Sequence, residues 1–277
     1  MFLISILRRN IYDPKLGINL LLIGKDGMGI VSVRAGSGLI SVLKLPGDLS
    51  IPIESNGSEY LVEAINKIGL PVDDPLNEAR VSIGQALGVI LTGVVKAPVS
   101  FGIPGLSESL FDISSKSNLS LIDRYYLLRD VNNKLSNRAS LSISLPKNVI
   151  DAFDEPDGKK VGKLNTAVFV WSKNQWVVDE VLSETAEVTV VNSSGKDGKA
   201  RLVARQIESA GVRVIDLLAG RKEEDSVCLL LGNTKAHPIT TEFLENFFLC
   251  KPSTANLLDY VDRDVKSDLV VILGKKS

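Results

Sequence analysis

The chain is poor in the residues on which most metal and redox sites depend. It has one histidine, His237, and two cysteines, Cys228 and Cys250. A single imidazole cannot assemble a histidine metal site, and we interpret His237, just before Pro238, as a polar residue at a helix start. The cysteines lie in apolar surroundings without a CxxC spacing. We therefore predict two buried free thiols rather than a disulfide.

An excess of positive charge is also missing. The 277 residues include 32 basic and 33 acidic side chains, with no block rich in lysine or arginine. This balance excludes the electrostatic footprint of a nucleic-acid-binding protein. An apolar fraction of 44% is ordinary for folded proteins, and the length favours two domains.

Long hydrophobic runs are absent as well. The opening MFLISILRR is far shorter than the roughly 20 residues that span a bilayer, and its charges are on the wrong side for a signal peptide. The apolar stretch 81–99 is broken by Gln85 and small residues, as in a protein core. We predict no transmembrane span in this chain, unless a longer natural start carries an anchor.

The order of apolar segments predicts an α/β fold of two domains, with mixed sheets flanked by helices. The run from Ile18 to Ile23 is continuously apolar and is followed by Gly24, which is typical of a strand buried on both faces in a parallel or mixed sheet. IVSVRAG and GLISVLKLPGDLSIPI predict further strands. Leu121 to Leu135 has a helical pattern, and Ser120 is a suitable N-cap.

The later segments divide the chain. LSISLP and TAVFVW predict two strands separated by the charged, turn-forming DAFDEPDGKKVGK. We therefore place a first domain at 1–139, a connecting hairpin region at 140–184 and a second domain at 185–277. The second domain has alternating strand and helix patterns in the order β-α-β-β-α-β, with Gly211 ending its first helix.

The second domain resembles the LytR C-terminal domain. VTVVNSSGKDGKARLVARQIESAGVRVIDL and SDLVVILGKK follow that family's pattern of a strand ending in an Asn-Gly-Ser turn, an alanine-rich helix and a last strand near "Leu-Gly-Lys". The matching residues are Asn192, Ser194, Gly195, Gly198, Ala200, Ala204, Gly211, Val214, Asp268, Leu273, Gly274 and Lys275. Ser193 replaces the family's usual glycine. The resemblance implies an accessory module of the bacterial cell envelope.

The front domain is similar to a degenerate LytR-CpsA-Psr (LCP) catalytic domain. The residues in register are Gly24, Asp26, Pro46, Asp48, Ile51 and Pro52. LCP enzymes attach glycopolymers from a polyprenyl pyrophosphate carrier to peptidoglycan, chemistry that depends on arginines and carboxylate-bound magnesium. Gly47 stands where the family has an arginine, and the family's Arg-x-Asp-Thr segment is absent.

Two small sites remain candidates. Asp26, Arg34 and Asp48 are the catalytic candidates if transferase chemistry survives, with Mg²⁺ as the only cofactor to expect; Arg80, Arg124 or Arg129 would have to replace the missing arginine. The loop before the second domain's first helix offers binding candidates, whose backbone amides suit an anion or a sugar hydroxyl. These candidates are Asn192, Ser194, Gly195, Lys196 and Gly198. The alternative is a connection that only caps the helix.

Two further patterns have ordinary explanations. The glycines from Gly24 to Gly29 lack the P-loop spacing and precede a strand, which favours a plain turn over a phosphate loop. Trp171 and Trp176 flank a short turn; exposed indoles can stack on sugars, but such a pair more often fixes a hairpin to its neighbour.

The sequence thus favours a non-catalytic envelope protein that positions wall-linked glycopolymer or binds an envelope partner. A magnesium-dependent phosphotransferase and an intracellular regulatory or scaffolding protein are the alternatives. A transferase predicts a deep apolar groove that opens onto a basic cluster near Asp26 and Asp48, whereas a binding module predicts no groove. An intracellular protein predicts reduced Cys228 and Cys250.

Overall fold

The computed structural model describes residues 11–35, 38–112, 114–137, 140–154, 158–173 and 175–276. The MFLISILRR prediction therefore lies outside the described residues. The chain divides into two compact units. The first runs to Leu87 and resumes over Leu91–Ser172; the second combines Gly88–Ile90 with the chain from Lys173 onwards. No helix in these described ranges is long and apolar enough to cross a membrane.

The first unit contains two sheets and the helices around them. In chain order its elements are β1 (Ile18–Gly24), β2 (Gly27–Val33), β3 (Ile40–Lys44), β4 (Leu49–Pro52), β5 (Glu59–Leu61), α1 (Val62–Lys67), α2 (Pro75–Leu87), β6 (Gly93–Lys96), α3 (Ile103–Phe111), β7 (Lys116–Ser117), α4 (Leu121–Ser136), β8 (Ser140–Ile143), β9 (Ile150–Asp154), β10 (Lys160–Leu164) and α5 (Ala167–Ser172).

The larger sheet confirms the mixed-sheet prediction. Its order is β7-β6-β1-β2-β3-β8, with β1 antiparallel to β2 and parallel to β6. Leu20, Leu21 and Leu22 of β1 are completely buried, because a central strand has neighbours on both edges and packs on both faces. The carboxyl ends of β1 and β6 therefore lie side by side.

The helix prediction at 121–135 is confirmed as α4. Ser120 is its N-cap: the Ser120 hydroxyl accepts a hydrogen bond from the Asp123 N–H at 3.0 Å, and the Asp123 carboxylate accepts one from the Ser120 N–H at 2.9 Å. This reciprocal capping box satisfies two backbone donors that the helix leaves free.

Two predictions for the middle of the chain are wrong. TAVFVW forms the helix α5 instead of a strand; the Asn165 side chain accepts the Ala167 N–H at 3.0 Å and starts the turn. Short apolar runs do not distinguish strand from buried helix by periodicity alone. DAFDEPDGKKVGK supplies both strands of the β9–β10 hairpin rather than only a turn. This hairpin belongs to the second sheet, of order β5-β4-β10-β9.

The second unit is built on a five-stranded mixed sheet of order β12-β11-β15-β13-β14. Its elements are α6 (Asp179–Ser183), β11 (Glu187–Asn192), α7 (Lys199–Ser209), β12 (Arg213–Ala219), β13 (Cys228–Gly232), α8 (Pro238–Phe248), β14 (Cys250–Pro252) and β15 (Leu269–Leu273). The predicted order is found with one addition, the short β14 between α8 and the last strand. His237 is the residue before α8, as predicted.

The free-thiol prediction is wrong. Cys228 and Cys250 form a disulfide, and both side chains are buried. They are register partners on the parallel strands β13 and β14, with Cα atoms 4.2 Å apart. The return of the chain through α8 creates this pairing, and residue spacing alone carries no sign of it.

Candidate functional site

A cleft of about 800 Å³ opens in the first unit at the carboxyl ends of β1 and β6. Ile23 and Gly24 of β1 and Lys96 of β6 line it, together with α1, the start of α2 and the residues around Ser115. Crevices outside the carboxyl ends of parallel strands are the usual ligand sites of α/β sheets. The topology therefore selects this edge, and the cleft volume falls in the range of small-molecule sites.

The cleft combines apolar walls with a basic lining. The apolar residues are Ile23, Ile65, Ile68, Leu70, Pro75, Leu76, Ala79, Ala97 and Pro98. The charged residues of its described lining are Lys25, Lys67, Lys96 and Lys116, together with one acid, Asp74. In a chain whose net charge is −1, this concentration of lysines gives the cleft a local positive potential suited to an anion.

Most of these ammonium groups have no ion pair. Lys67 pairs with Glu63 one helical turn away, and this contact lowers the pKa of the Glu63 carboxyl. Within the described part of the chain, Lys25, Lys96 and Lys116 make no salt bridge. Their charge is available to a ligand.

A second pocket of about 310 Å³ shares Lys25, Asn66 and Lys67 with the cleft and is also lined by Asp26. Asp26 lies in the β1–β2 turn, where its Oδ1 accepts the Phe101 N–H at 2.6 Å. That backbone hydrogen bond is the main cause of a pKa held below the usual aspartate range, and Lys44 and Lys25 act in the same direction. Asp26 is therefore an ionised carboxylate beside the cleft.

The other two catalytic candidates do not complete a centre around Asp26. Asp48 is exposed and does not line either pocket, although its neighbour Gly47 does. Arg34 follows the far end of β2, separated from the Asp26 turn by seven strand residues, or roughly 20 Å at the usual rise per residue. The three residues do not share one site.

The arginines that would replace the missing family arginine have other partners. Arg80 donates to the Leu91 carbonyl and the Asn77 side chain. Arg124 is buried and donates to the Asp112 carbonyl at 3.0 Å and the Ser115 carbonyl at 2.9 Å. Arg129 lies over the Tyr126 ring at 5.4 Å. None of the three lines the cleft or the second pocket.

Gly47 itself is not required by the backbone. A Cβ atom there would meet the Glu63 Cβ at 3.4 Å and its Oε2 at 3.7 Å, which are ordinary contacts. A Cβ atom is therefore accommodated at this position.

The glycine-rich segment after β1 is a hairpin turn, as predicted. Gly24 and Gly27 are register partners at the end of the β1–β2 ladder, and a strand follows instead of a helix. No helix N-terminus is available there to bind phosphate.

The binding candidates of the second unit form a loop between β11 and α7 whose polar atoms bond to one another. The Asn192 amide donates to the Lys196 carbonyl at 2.8 Å, and the Ser194 hydroxyl donates to Asn192 Oδ1 at 2.6 Å. Gly195 and Gly198 take left-handed backbone conformations, φ +72° and +76°. Gly198 is the N-cap of α7 and offers no side-chain bond.

The tryptophans do not form a pair of exposed stacking platforms. The Trp176 side chain is 2% exposed, and Trp171 lies on α5 and is half-buried. Among the described residues there is also no group of three or more His, Cys, Asp or Glu side chains arranged to hold a metal ion.

The sequence does not identify the lysines of the cleft as one group because they lie far apart along the chain. One weak signal existed: Lys25 directly follows the buried apolar strand β1, and Lys96 is the last residue of β6, whose other residues are buried. The pairing of β1 with β6, which brings them to one edge, is not visible in the sequence.

No protein-family model matches this chain, and no curated protein matches it. Among solved structures, the chain is similar to TagT bound to LIIa-WTA, with 14% identity, 60% of this chain and 91% of that chain covered, and a TM-score of 0.43. It is also similar to B. subtilis TagT, with 15% identity, 59% of this chain and 90% of that chain covered, and a TM-score of 0.41. A third similar structure is the LytR-CPS2A-psr family protein YwtF (TagT) with bound octaprenyl pyrophosphate lipid. Its identity is 15%, the match covers 60% of this chain and 90% of that chain, and the TM-score is 0.40. Likenesses of this size assign neither an activity nor a ligand to this chain.

Proposed function

We propose that the cleft of the first unit binds a polyprenyl-pyrophosphate-linked glycopolymer of the bacterial cell envelope and holds it without transferring it. The observation that carries the proposal is the meeting, in one cavity, of apolar walls with Lys25, Lys96 and Lys116, which make no salt bridge with any described residue. Such a ligand has a hydrocarbon chain, which gains from apolar burial, joined to a pyrophosphate, which gains from ammonium groups.

The cleft departs from the expectation that a binding module has no groove, and it agrees with the groove expected of a transferase. A cleft with apolar walls and a basic lining is present, and the pocket beside it contains Asp26. We therefore assign ligand binding to the first unit. The second unit, through its resemblance to the LytR C-terminal domain, would position the polymer or an envelope partner.

Non-catalytic binding is supported by what surrounds the cleft. Phosphoryl transfer draws on guanidinium groups and metal ions to neutralise the transferring group. Arg80, Arg124 and Arg129 have other partners, and among the described residues no arginine lines either pocket. Lysines bind phosphate as point charges but lack the bidentate fork of arginine.

A magnesium-dependent phosphotransferase is the second candidate. Its specific support is the ionised Asp26 carboxylate in the pocket that adjoins the cleft, because a magnesium ion is commonly held by one or two carboxylates together with ligand phosphates.

The disulfide supports a location outside the cytoplasm. Disulfides persist in oxidising compartments and are rare where thiols are kept reduced. The Cys228–Cys250 bond therefore favours the envelope over an intracellular regulatory or scaffolding role.

Calorimetric titration with farnesyl pyrophosphate, a soluble short-chain analogue, with and without Mg²⁺, tests the proposal. We expect binding without Mg²⁺ that falls at least tenfold in Lys25→Ala/Lys116→Ala. Lys160→Ala, an exposed lysine on β10 away from both pockets, is the matched control and should bind normally.

Other outcomes separate the alternatives. Binding that requires Mg²⁺ and is lost in Asp26→Ala, together with transfer of labelled polymer to peptidoglycan, would establish the transferase. Absence of binding under both conditions would overturn the assignment of the cleft.

A further inference from the structure

We propose that the rim of the cleft docks onto the surface of an anionic lipid bilayer, so that the membrane delivers the ligand. The inference rests on the proposed function and adds the membrane as its partner. It concerns a membrane-docking rim defined by Ile68, Phe111 and Tyr125.

The first observation is the exposure of these side chains. Ile68 is 87% exposed, Phe111 80% and Tyr125 63%. Among the large apolar and aromatic side chains of the described residues, they are three of the four most exposed, Val170 being the other at 69%. Side chains of this kind gain from partial insertion at a bilayer interface.

The second observation is that Ile68 lines the cleft and that Phe111 and Tyr125 are sequence neighbours of residues bonded to its wall. Ile68 lines it directly, as does Ser115. Phe111 ends α3 immediately before Asp112, and Arg124 of α4 ties this end to the cleft wall through the Asp112 and Ser115 carbonyls. Tyr125 follows Arg124 in the first turns of α4.

Charge selects the partner. Lys25 and Lys116 are exposed, line the same cleft and have no salt bridge with any described residue. Ammonium groups next to exposed apolar side chains complement the negative headgroups and hydrocarbon of an anionic leaflet. The occupant of the rim is therefore a lipid surface, and a polyprenyl chain would pass from it into the cleft without crossing water.

Flotation with vesicles of 30% phosphatidylglycerol in phosphatidylcholine tests the docking. We expect the full chain to bind these vesicles, to bind pure phosphatidylcholine at least tenfold more weakly, and to be released by 0.5 M NaCl. The Phe111→Ser/Tyr125→Ser variant should bind the anionic vesicles at least tenfold more weakly. Phe153→Ser/Val170→Ser, which removes two exposed apolar side chains outside the rim, 50% and 69% exposed, should bind like the parent.

The two proposals fail in different ways. Phe111 and Tyr125 do not line the cleft, so their double variant should still bind farnesyl pyrophosphate in calorimetry. A parent chain that binds this ligand but ignores anionic vesicles overturns the docking and leaves the cleft assignment standing. A concentration-dependent dimer that Phe111→Ser/Tyr125→Ser dissociates, without vesicle binding, would show that the rim meets a second copy of the chain instead.

Discussion

Each unit contains two neighbouring parallel strands whose carboxyl ends lie side by side, but the surroundings of these ends differ between the units. In the first, the carboxyl ends of β1 and β6 border an open cleft, where Lys25, Lys96 and Lys116 make no salt bridge with any described residue. In the second, Glu224 is bonded to the segments that follow β11 and β15: its N–H donates to the Ser193 carbonyl at 2.9 Å, and its carbonyl accepts the Lys275 N–H at 2.8 Å. Topology thus indicates where a crevice can form, and local hydrogen bonding decides whether it stays open.

The units also differ in what holds them together. The first relies on an apolar core that includes β1, β2, α3 and α4, supplemented by the buried Arg124 and the Ser120 cap. The second adds the Cys228–Cys250 bond. A variant that removes one of these stabilising features should therefore lower the unfolding free energy of the unit that contains it and leave that of the other unit unchanged.

The largest effect is expected from Cys228→Ser/Cys250→Ser. Removing a crosslink that closes a loop of this length costs on the order of 3 kcal/mol of unfolding free energy. In a Trp171→Phe background, Trp176 fluorescence reports the second unit during urea unfolding. The first unit should unfold as before; an equal loss in both units would contradict the comparison.

Arg124→Met should destabilise the first unit by about 2 kcal/mol, because it leaves the buried acceptors at Asp112 and Ser115 without their donor. Thermal unfolding followed by circular dichroism measures the loss. Arg129→Met removes an exposed arginine of the same helix and should change stability by less than about 0.5 kcal/mol. Equal losses of stability in the two variants would show that the buried hydrogen bonds of Arg124 do not cause the destabilisation.

Ser120→Ala should cost about 1 kcal/mol in the first unit, since the Asp123 N–H loses its acceptor at the start of α4. Ser120→Thr keeps the hydroxyl and should retain most of the stability. Urea midpoints of the two variants, measured side by side, separate loss of the cap from a general effect of substitution at a buried position.

The smallest effect concerns pH and the second unit. The Tyr260 hydroxyl, 2.6 Å from the Glu224 carboxylate, and the Ser226 N–H hold the Glu224 pKa below its usual range. A depressed carboxyl pKa stabilises the fold above the unfolded value of about 4.3, and this stabilisation is lost as pH falls through the folded pKa. Because Glu224 is only half-buried, we expect less than about 1 kcal/mol.

Tyr260→Phe should therefore reduce the stability of the second unit at pH 7 and make its decline below about pH 4 shallower. Urea midpoints between pH 3 and pH 7 test this. If the urea midpoint of the variant falls with decreasing pH as steeply as that of the parent, another carboxylate controls the loss of stability in acid.

The sequence by itself determined the α/β class, the buried β1, the capped α4 and, apart from the short β14, the order of helices and strands along the second unit. These features depend on local periodicity and on side chains that bond within a few residues of themselves, as Ser120 does with Asp123. The sequence also indicated that Gly24 begins a plain turn and that His237 precedes a helix.

Tertiary structure alone decided the disulfide, the helix at TAVFVW and the cleft. Cys228 meets Cys250 because two strands pair across α8, and Lys25 meets Lys96 at one edge because β1 pairs with β6. Such proximity is fixed by strand neighbours distant in sequence, which no local pattern of residues encodes.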